Sequence, residues 1–221
     1  MTGNAAAAAP DRTGRGDDEA WLRREVTRWL LFSLVCAGGS LGLAWLAPVV
    51  PLPGSLRAVA VLVAWVVLPL ASVLVPLLLL RRVPRKRRKV AWQLVVPVVA
   101  GVALGMVGKE AGDQVALEAR GRWADVEVVR VEKAGTDHCD LRTADGREVS
   151  PSLSEGDGCD DPIAKGDRLR VRYDPEGVAG PTEDADATSY GGLIAGLFLA
   201  AVAMGTWGGV RQSRWNREYL G

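Results

Sequence analysis

The sequence predicts a membrane α-helical protein with four transmembrane helices and a small all-β extracytoplasmic domain, a barrel or sandwich, inserted between helices 3 and 4. Three observations carry that expectation. Four blocks, 29–56, 58–80, 90–108 and 187–210, contain no Asp, Glu, Lys, Arg or His. Each is close to or above the roughly 20 apolar residues a helix needs to cross a hydrocarbon core about 30 Å thick. Between the second and third blocks stand Arg81, Arg82, Arg85, Lys86, Arg87, Arg88 and Lys89, seven basic side chains in nine positions. Between the third and fourth lies a polar stretch, 109–186, whose short apolar runs alternate with period two and are broken by Gly, Asp and Pro, the pattern of strands and turns. Bulk composition does not decide the class, because 221 residues at net charge +1 and 48% hydrophobic would also suit a soluble domain. The exclusion of charge from four long blocks does.

Residues 1–20 lack the basic-then-apolar order and the cleavage site of a signal peptide. Their Ala, Gly and Pro content reads as a disordered cytoplasmic tail. Residues 21–80 read as a hairpin of the first two helices, 81–89 as a cytoplasmic loop, 90–108 as the third helix, 187–210 as the fourth and 211–221 as a cytoplasmic tail. Orientation follows from basic residues staying with the cytosol. Arg23, Arg24 and Arg28 precede the first block, the basic run follows the second, and Arg211, Arg214 and Arg217 follow the fourth. With four spans these segments share one face, which puts both termini on the cytoplasmic side of the cytoplasmic membrane. The basic run then serves as a topology signal in contact with anionic lipid headgroups. A nine-residue tethered turn is a poor nucleic-acid site, so none is expected as a partner.

The spans hold few polar groups: Ser33, Cys36, Ser40, Ser72 and Gln93. Proton relays and transport paths need more. Small residues four apart allow close helix approach, and they occur as Gly101 and Gly105, Gly192 and Gly196, and Gly205 and Gly209. The third and fourth helices are therefore expected to pack beneath the β domain, and a homo-oligomer is compatible with these faces. Trp29, Trp45, Trp92 and Trp207 fall near the expected interfaces, whereas Trp65 is deep enough to pack between helices. Pro69 and Pro76 should kink the second helix.

Within 109–186 there are twenty acidic and eleven basic residues. The alternation of 124–131 slips phase at Val128 and Val129, which predicts a β-bulge. Asp145-Gly146 predicts a hairpin turn. Residues 168–173 are the best strand, with Leu169, Val171 and Tyr173 facing a core and three arginines facing water. A domain this small is marginal alone. A Cys139–Cys159 disulfide, permitted outside the cytosol, should add about 3 kcal/mol. Cys36 reads as a lone buried thiol.

The segment Gly166-Asp167-Arg168-Leu169-Arg170-Val171-Arg172-Tyr173-Asp174-Pro175-Glu176 resembles the closing pattern of an uncharacterised bacterial multi-pass membrane family with a small β domain between transmembrane helices. The likeness reaches weakly back to Gly121-Arg122-Trp123 and the Asp145-Gly146 turn and does not cover the first two helices. The family pattern does not require the two cysteines. The resemblance implies a fold and a placement, and brings no activity, substrate or catalytic residue.

Other constellations are weak. His138 beside Cys139 lacks the remaining ligands of a zinc site. The acidic stretch 155–161 lacks calcium-loop spacing. Ser150, Ser152 and Ser154 have no signalled base. The reading is a non-enzymatic protein without cofactor or metal, whose outer domain meets a membrane or envelope partner. The alternative is a regulatory or sensor subunit whose domain binds a ligand or ion.

Overall fold

The computed structural model describes residues 12–50, 52–79, 92–134, 136–160, 162–183 and 189–220. The basic run 81–89 lies outside them. The described residues form α-helices and strands in the order α1 (Arg12–Val49), α2 (Gly54–Leu62), α3 (Leu68–Leu79), α4 (Val95–Arg120), β1 (Arg122–Ala134), β2 (Thr136–Thr143), β3 (Glu148–Ser154), β4 (Arg168–Tyr173) and α5 (Gly191–Leu220). Among the described residues, four stretches are long and apolar enough to cross a membrane: Asp18–Val49, Gly54–Leu78, Val95–Arg120 and Gly191–Glu218.

The second stretch is continuous but not uniformly α-helical. A π turn, Val63–Val67, joins α2 to α3, and the Leu68 amide reaches back five residues to the Val63 carbonyl. Pro69 explains the widening, because its ring cannot fit against the preceding turn and it has no N–H to give. The expected distortion is thus a π turn just before Pro69.

The helices meet through small side chains. Ala37 of α1, Ala100 and Leu104 of α4, and Ala201 and Val202 of α5 form the bundle core. Without a hydrophobic drive between helices in lipid, such close backbone approach is what holds spans together. The outward side keeps a girdle of large apolar residues: Val35 is 66% exposed, Val99 63% and Leu199 67%. In water, so continuous an apolar surface would be an aggregation liability; against lipid it costs nothing.

Three helices outrun the apolar blocks that announced them; α5 runs on to Leu220, so the stretch expected as a tail after residue 210 is helical as far as it is described. Helix α1 begins at Arg12, not after residue 20. Its polar start packs on the end of α5, where Arg217 pairs with Asp18 at 3.0 Å and lies over the Trp21 ring. Helix α4 continues to Arg120, although 109–120 had been expected in the β domain. Gly112 there sits flush on the Trp45 carbonyl and the Pro48 ring, and Ala116 and Leu117 are buried with Ala179. Trp29 also departs from expectation. It is 2% exposed and donates to Glu25 and Ser213, so it belongs to the α1–α5 seam and not to an interfacial belt.

The strands form one antiparallel sheet in the order β3-β2-β1-β4. It is neither a barrel nor a sandwich: its apolar face is covered by Cys159 and Ile163 of the connection to β4, and among the described residues there is no second sheet to cover it. Val126, Val128, Cys139, Leu141, Val149, Leu153, Cys159 and Val171 make that core, with Ile163 packed against it. The register of β1 on β2 shifts between Val128 and Arg130, which returns Val131 to the inner face. The Cys139–Cys159 disulfide staples the covering loop to β2.

Candidate functional site

The most elaborated polar geometry lies where the sheet meets the helices. Strand β4 ends in Tyr173-Asp174-Pro175-Glu176-Gly177, and the chain turns there because Pro175 cannot extend the ladder and Gly177 adopts φ +66°. The Asp174 carboxylate organises this turn. It accepts from the amides of Glu176 at 3.0 Å, Val178 at 3.2 Å and Ala179 at 3.1 Å. It also accepts from Arg120 on α4, at 3.0 Å from Nε and 2.9 Å from Nη2. The Asp174 side chain is fully buried and that of Arg120 is 21% exposed.

Arg120 has a second duty. Its Nη2 donates to the Pro48 carbonyl at 2.6 Å and its Nη1 to the Val49 carbonyl at 3.1 Å. Those carbonyls end α1 and have no partner within the helix. A guanidinium there satisfies them and sits at the negative end of the helix dipole. One side chain therefore ties three parts together: the end of the first span, the end of the third and the turn that closes the sheet. Burial pushes the Asp174 carboxyl up, but the Arg120 hydrogen bonds and the Glu176 and Ala179 amides outweigh it, so it lies below the usual carboxylate range.

Below this junction, Lys109 and Asp113 pair at 2.5 Å on α4. Asp113 is 6% exposed, and its Oδ1 has no hydrogen-bond partner among the described residues. Arg172 joins the same seam, its Nη2 donating to the Glu118 carbonyl at 3.4 Å. It is thus not the third water-facing arginine expected of β4, whereas Arg168 and Arg170 are exposed.

The outer face of the sheet carries alternating charge. Arg168, Glu127, Arg142 and Glu148 stand side by side across β4, β1, β2 and β3. Arg130 pairs with Asp140 at 3.0 Å. Such a face is solvated, and its charges are locally balanced despite the acidic total.

The expected site residues are distributed as follows. Gly101 lies against Pro69 and Gly105 against Trp65, so both serve the second span and not α5. Gly205 lies against Ser33 of α1 and Pro97 of α4, and Gly209 against the Trp29 ring of α1. Among the described residues, nothing lies within 4 Å of where a side chain on Gly192 or Gly196 would start. The contact of α4 with α5 runs instead through Ala100, Leu104, Ala201 and Val202. Ser33, Cys36, Ser40 and Ser72, scattered in sequence, line one small internal cavity. His138 is exposed on β2, and no group of three His, Cys, Asp or Glu that could hold a metal ion converges among the described residues. Ser154 donates to Asp157 at 2.5 Å within the acidic turn.

The sequence reading missed Arg120 and Asp174 as partners. Asp174 was visible only as a residue ending a strand, and Arg120 only as one charge among many. Comparison with family models, with curated proteins and with solved structures returns no match.

Proposed function

We propose that the chain is a four-span protein of a bacterial cytoplasmic membrane that holds its disulfide-closed sheet on the outer face as a fixed platform for a membrane or envelope partner. Both termini face the cytosol in this reading. The observation that carries it is the Arg120–Asp174 junction, which clamps the sheet to the ends of two spans. A domain tied this way presents its surface in one orientation, which suits recognition better than a flexible tether would. The start of α1 and the end of α5 meet at the bundle end away from the sheet, in keeping with termini on one side and sheet on the other. The arginine-rich segments supply the sign: basic residues remain inside. The absence of clustered ionisable groups deep in the spans speaks against transport, and no cofactor is invoked.

Single cysteines placed at Ser152 and at Ser213, in a chain whose native cysteines are serine, test the topology with a membrane-impermeant thiol reagent. Labelling at 152 alone in intact cells is expected; labelling at 213 alone overturns the arrangement. Crosslinking in intact membranes then tests the role. Partners recovered with the full chain should be lost when 122–183 is removed, and a chain that keeps them all refutes the platform.

A sensor reading gains from the same junction, since a ligand on the sheet could shift the ends of two spans. It predicts signalling through the basic loop 81–89. Replacing those residues, with orientation restored by basic residues elsewhere, would then abolish function, whereas the platform reading expects none to be lost.

A further inference from the structure

A groove runs between the first half of α1 and the last half of α5, at the bundle end away from the sheet. It has a volume of about 400 Å³. Leu22, Val26 and Leu30 form one wall at helical spacing, and Trp207 and Val210 stand on the other. Val26 and Leu30 are each 38% exposed and Trp207 is 57% exposed, so the groove is open to whatever surrounds the bundle. Thr206 also lines it, but its hydroxyl donates to the Val202 carbonyl at 2.7 Å and leaves no unmet polar demand. The lining is thus an apolar channel along the helix axes, roughly 12 Å long over 22–30 at 1.5 Å per residue.

The polar end of the groove is Arg214. Its neighbours are occupied: Arg28 pairs with Glu25, Arg217 pairs with Asp18, and Arg211 lies over the Trp215 ring. Arg214 is exposed and has no ion pair among the described residues. An exposed guanidinium at the mouth of an apolar channel on a membrane-facing surface matches one ligand chemistry, an anionic headgroup joined to an acyl chain.

We infer that this groove is a binding site for one anionic phospholipid, its acyl chain between α1 and α5 and its phosphate on Arg214. The inference rests on the helices crossing a membrane, and not on which side the sheet faces. The site differs from headgroup contact by the basic run, because it holds a tail as well as a phosphate and has a defined stoichiometry.

The test is native mass spectrometry of the full chain, delipidated in detergent and titrated with dioleoyl phosphatidylglycerol or dioleoyl phosphatidylcholine. One tightly retained phosphatidylglycerol is expected, with a roughly fivefold preference over phosphatidylcholine, the worth of one arginine at a membrane surface. Arg214→Gln should lose the preference and Arg214→Lys should largely keep it, since the headgroup attraction is mainly charge. Ala203→Trp, at an exposed position on the groove wall, should displace the lipid of either class. Equal retention of the two lipids by the parent chain, or undiminished phosphatidylglycerol retention in Ala203→Trp, overturns the site. Carbonate extraction of membranes separates this from failure of the membrane reading: a chain released into the soluble fraction defeats both, whereas a retained chain without lipid selectivity defeats the site alone.

Discussion

Replacing Asp174 with alanine should be among the most damaging single changes in the chain. The carboxylate is fully buried and carries the Arg120 fork and three backbone amides. Its removal strands a guanidinium that is 21% exposed. Removing one partner of a buried ion pair costs about 3–5 kcal/mol. The low end applies here, because Arg120 keeps the Pro48 and Val49 carbonyls and can draw on Glu176, 3.5 Å away. A loss of about 3 kcal/mol is therefore expected. Denaturant unfolding of the full chain in detergent, followed by the fluorescence of its tryptophans and by protease attack at 174–183, measures it. Arg120→Ala alone should cost a similar amount, and the double variant clearly less than the two losses added, because each single change already breaks the pair. Additive losses, or an Asp174→Ala cost below about 1 kcal/mol, the scale of an exposed pair, would refute the junction.

The same pair fixes a pH dependence. Asp174 has its folded carboxyl below the usual range, so the unfolded chain takes up its proton first as pH falls. The stabilisation is complete above the ordinary aspartate value, about 3.9, and disappears as pH drops through the lower folded value. Asp174→Asn should flatten the acid limb of the stability curve; an unchanged limb would assign acid loss to other carboxylates.

Other expectations can be checked separately. Cys139→Ser with Cys159→Ser should lower stability by about 3 kcal/mol through the freed loop, read by the same unfolding assay, while the buried Cys36 should resist thiol reagents until the chain unfolds. Gly105→Ala brings a methyl within 2.7 Å of the Trp65 ring and should cost about 1–3 kcal/mol, with recovery when Trp65 is shortened to leucine; Gly196→Ala, which meets nothing, should leave thermal stability unchanged or slightly raised. Glu127→Lys sets a third cation between Arg142 and Arg168 and should cost about 1 kcal/mol, an effect that salt should reduce and that a midpoint titration at two ionic strengths will reveal.

Local pattern was enough wherever one residue type dictates one local outcome. The bulge at Val128–Val129 was legible because side chains alternate strictly in a strand, so a slipped phase must be absorbed within the ladder. Strand β4 was legible because Arg168 to Tyr173 alternate between turn residues. The polar half of α4 was not: Lys109, Glu110 and Asp113 look like loop to any measure of hydropathy. They are helical because Gly112, Ala116 and Leu117 find the end of α1 and Ala179 to pack on. The glycine spacings announced close packing without naming the partner, since a gap in one helix surface accepts whichever ring the fold delivers.

Read alone, the residues say that charge stays out of four stretches and that strand patterns separate the last two. These follow from solvation and backbone geometry, which act on residues near in the chain. The folded chain alone shows that Arg120 meets Asp174 across 54 positions, that Cys139 reaches Cys159, that Gly105 receives Trp65, and that the four strands form a single sheet. Such choices depend on which surfaces bury one another, and burial is a property of the assembled chain.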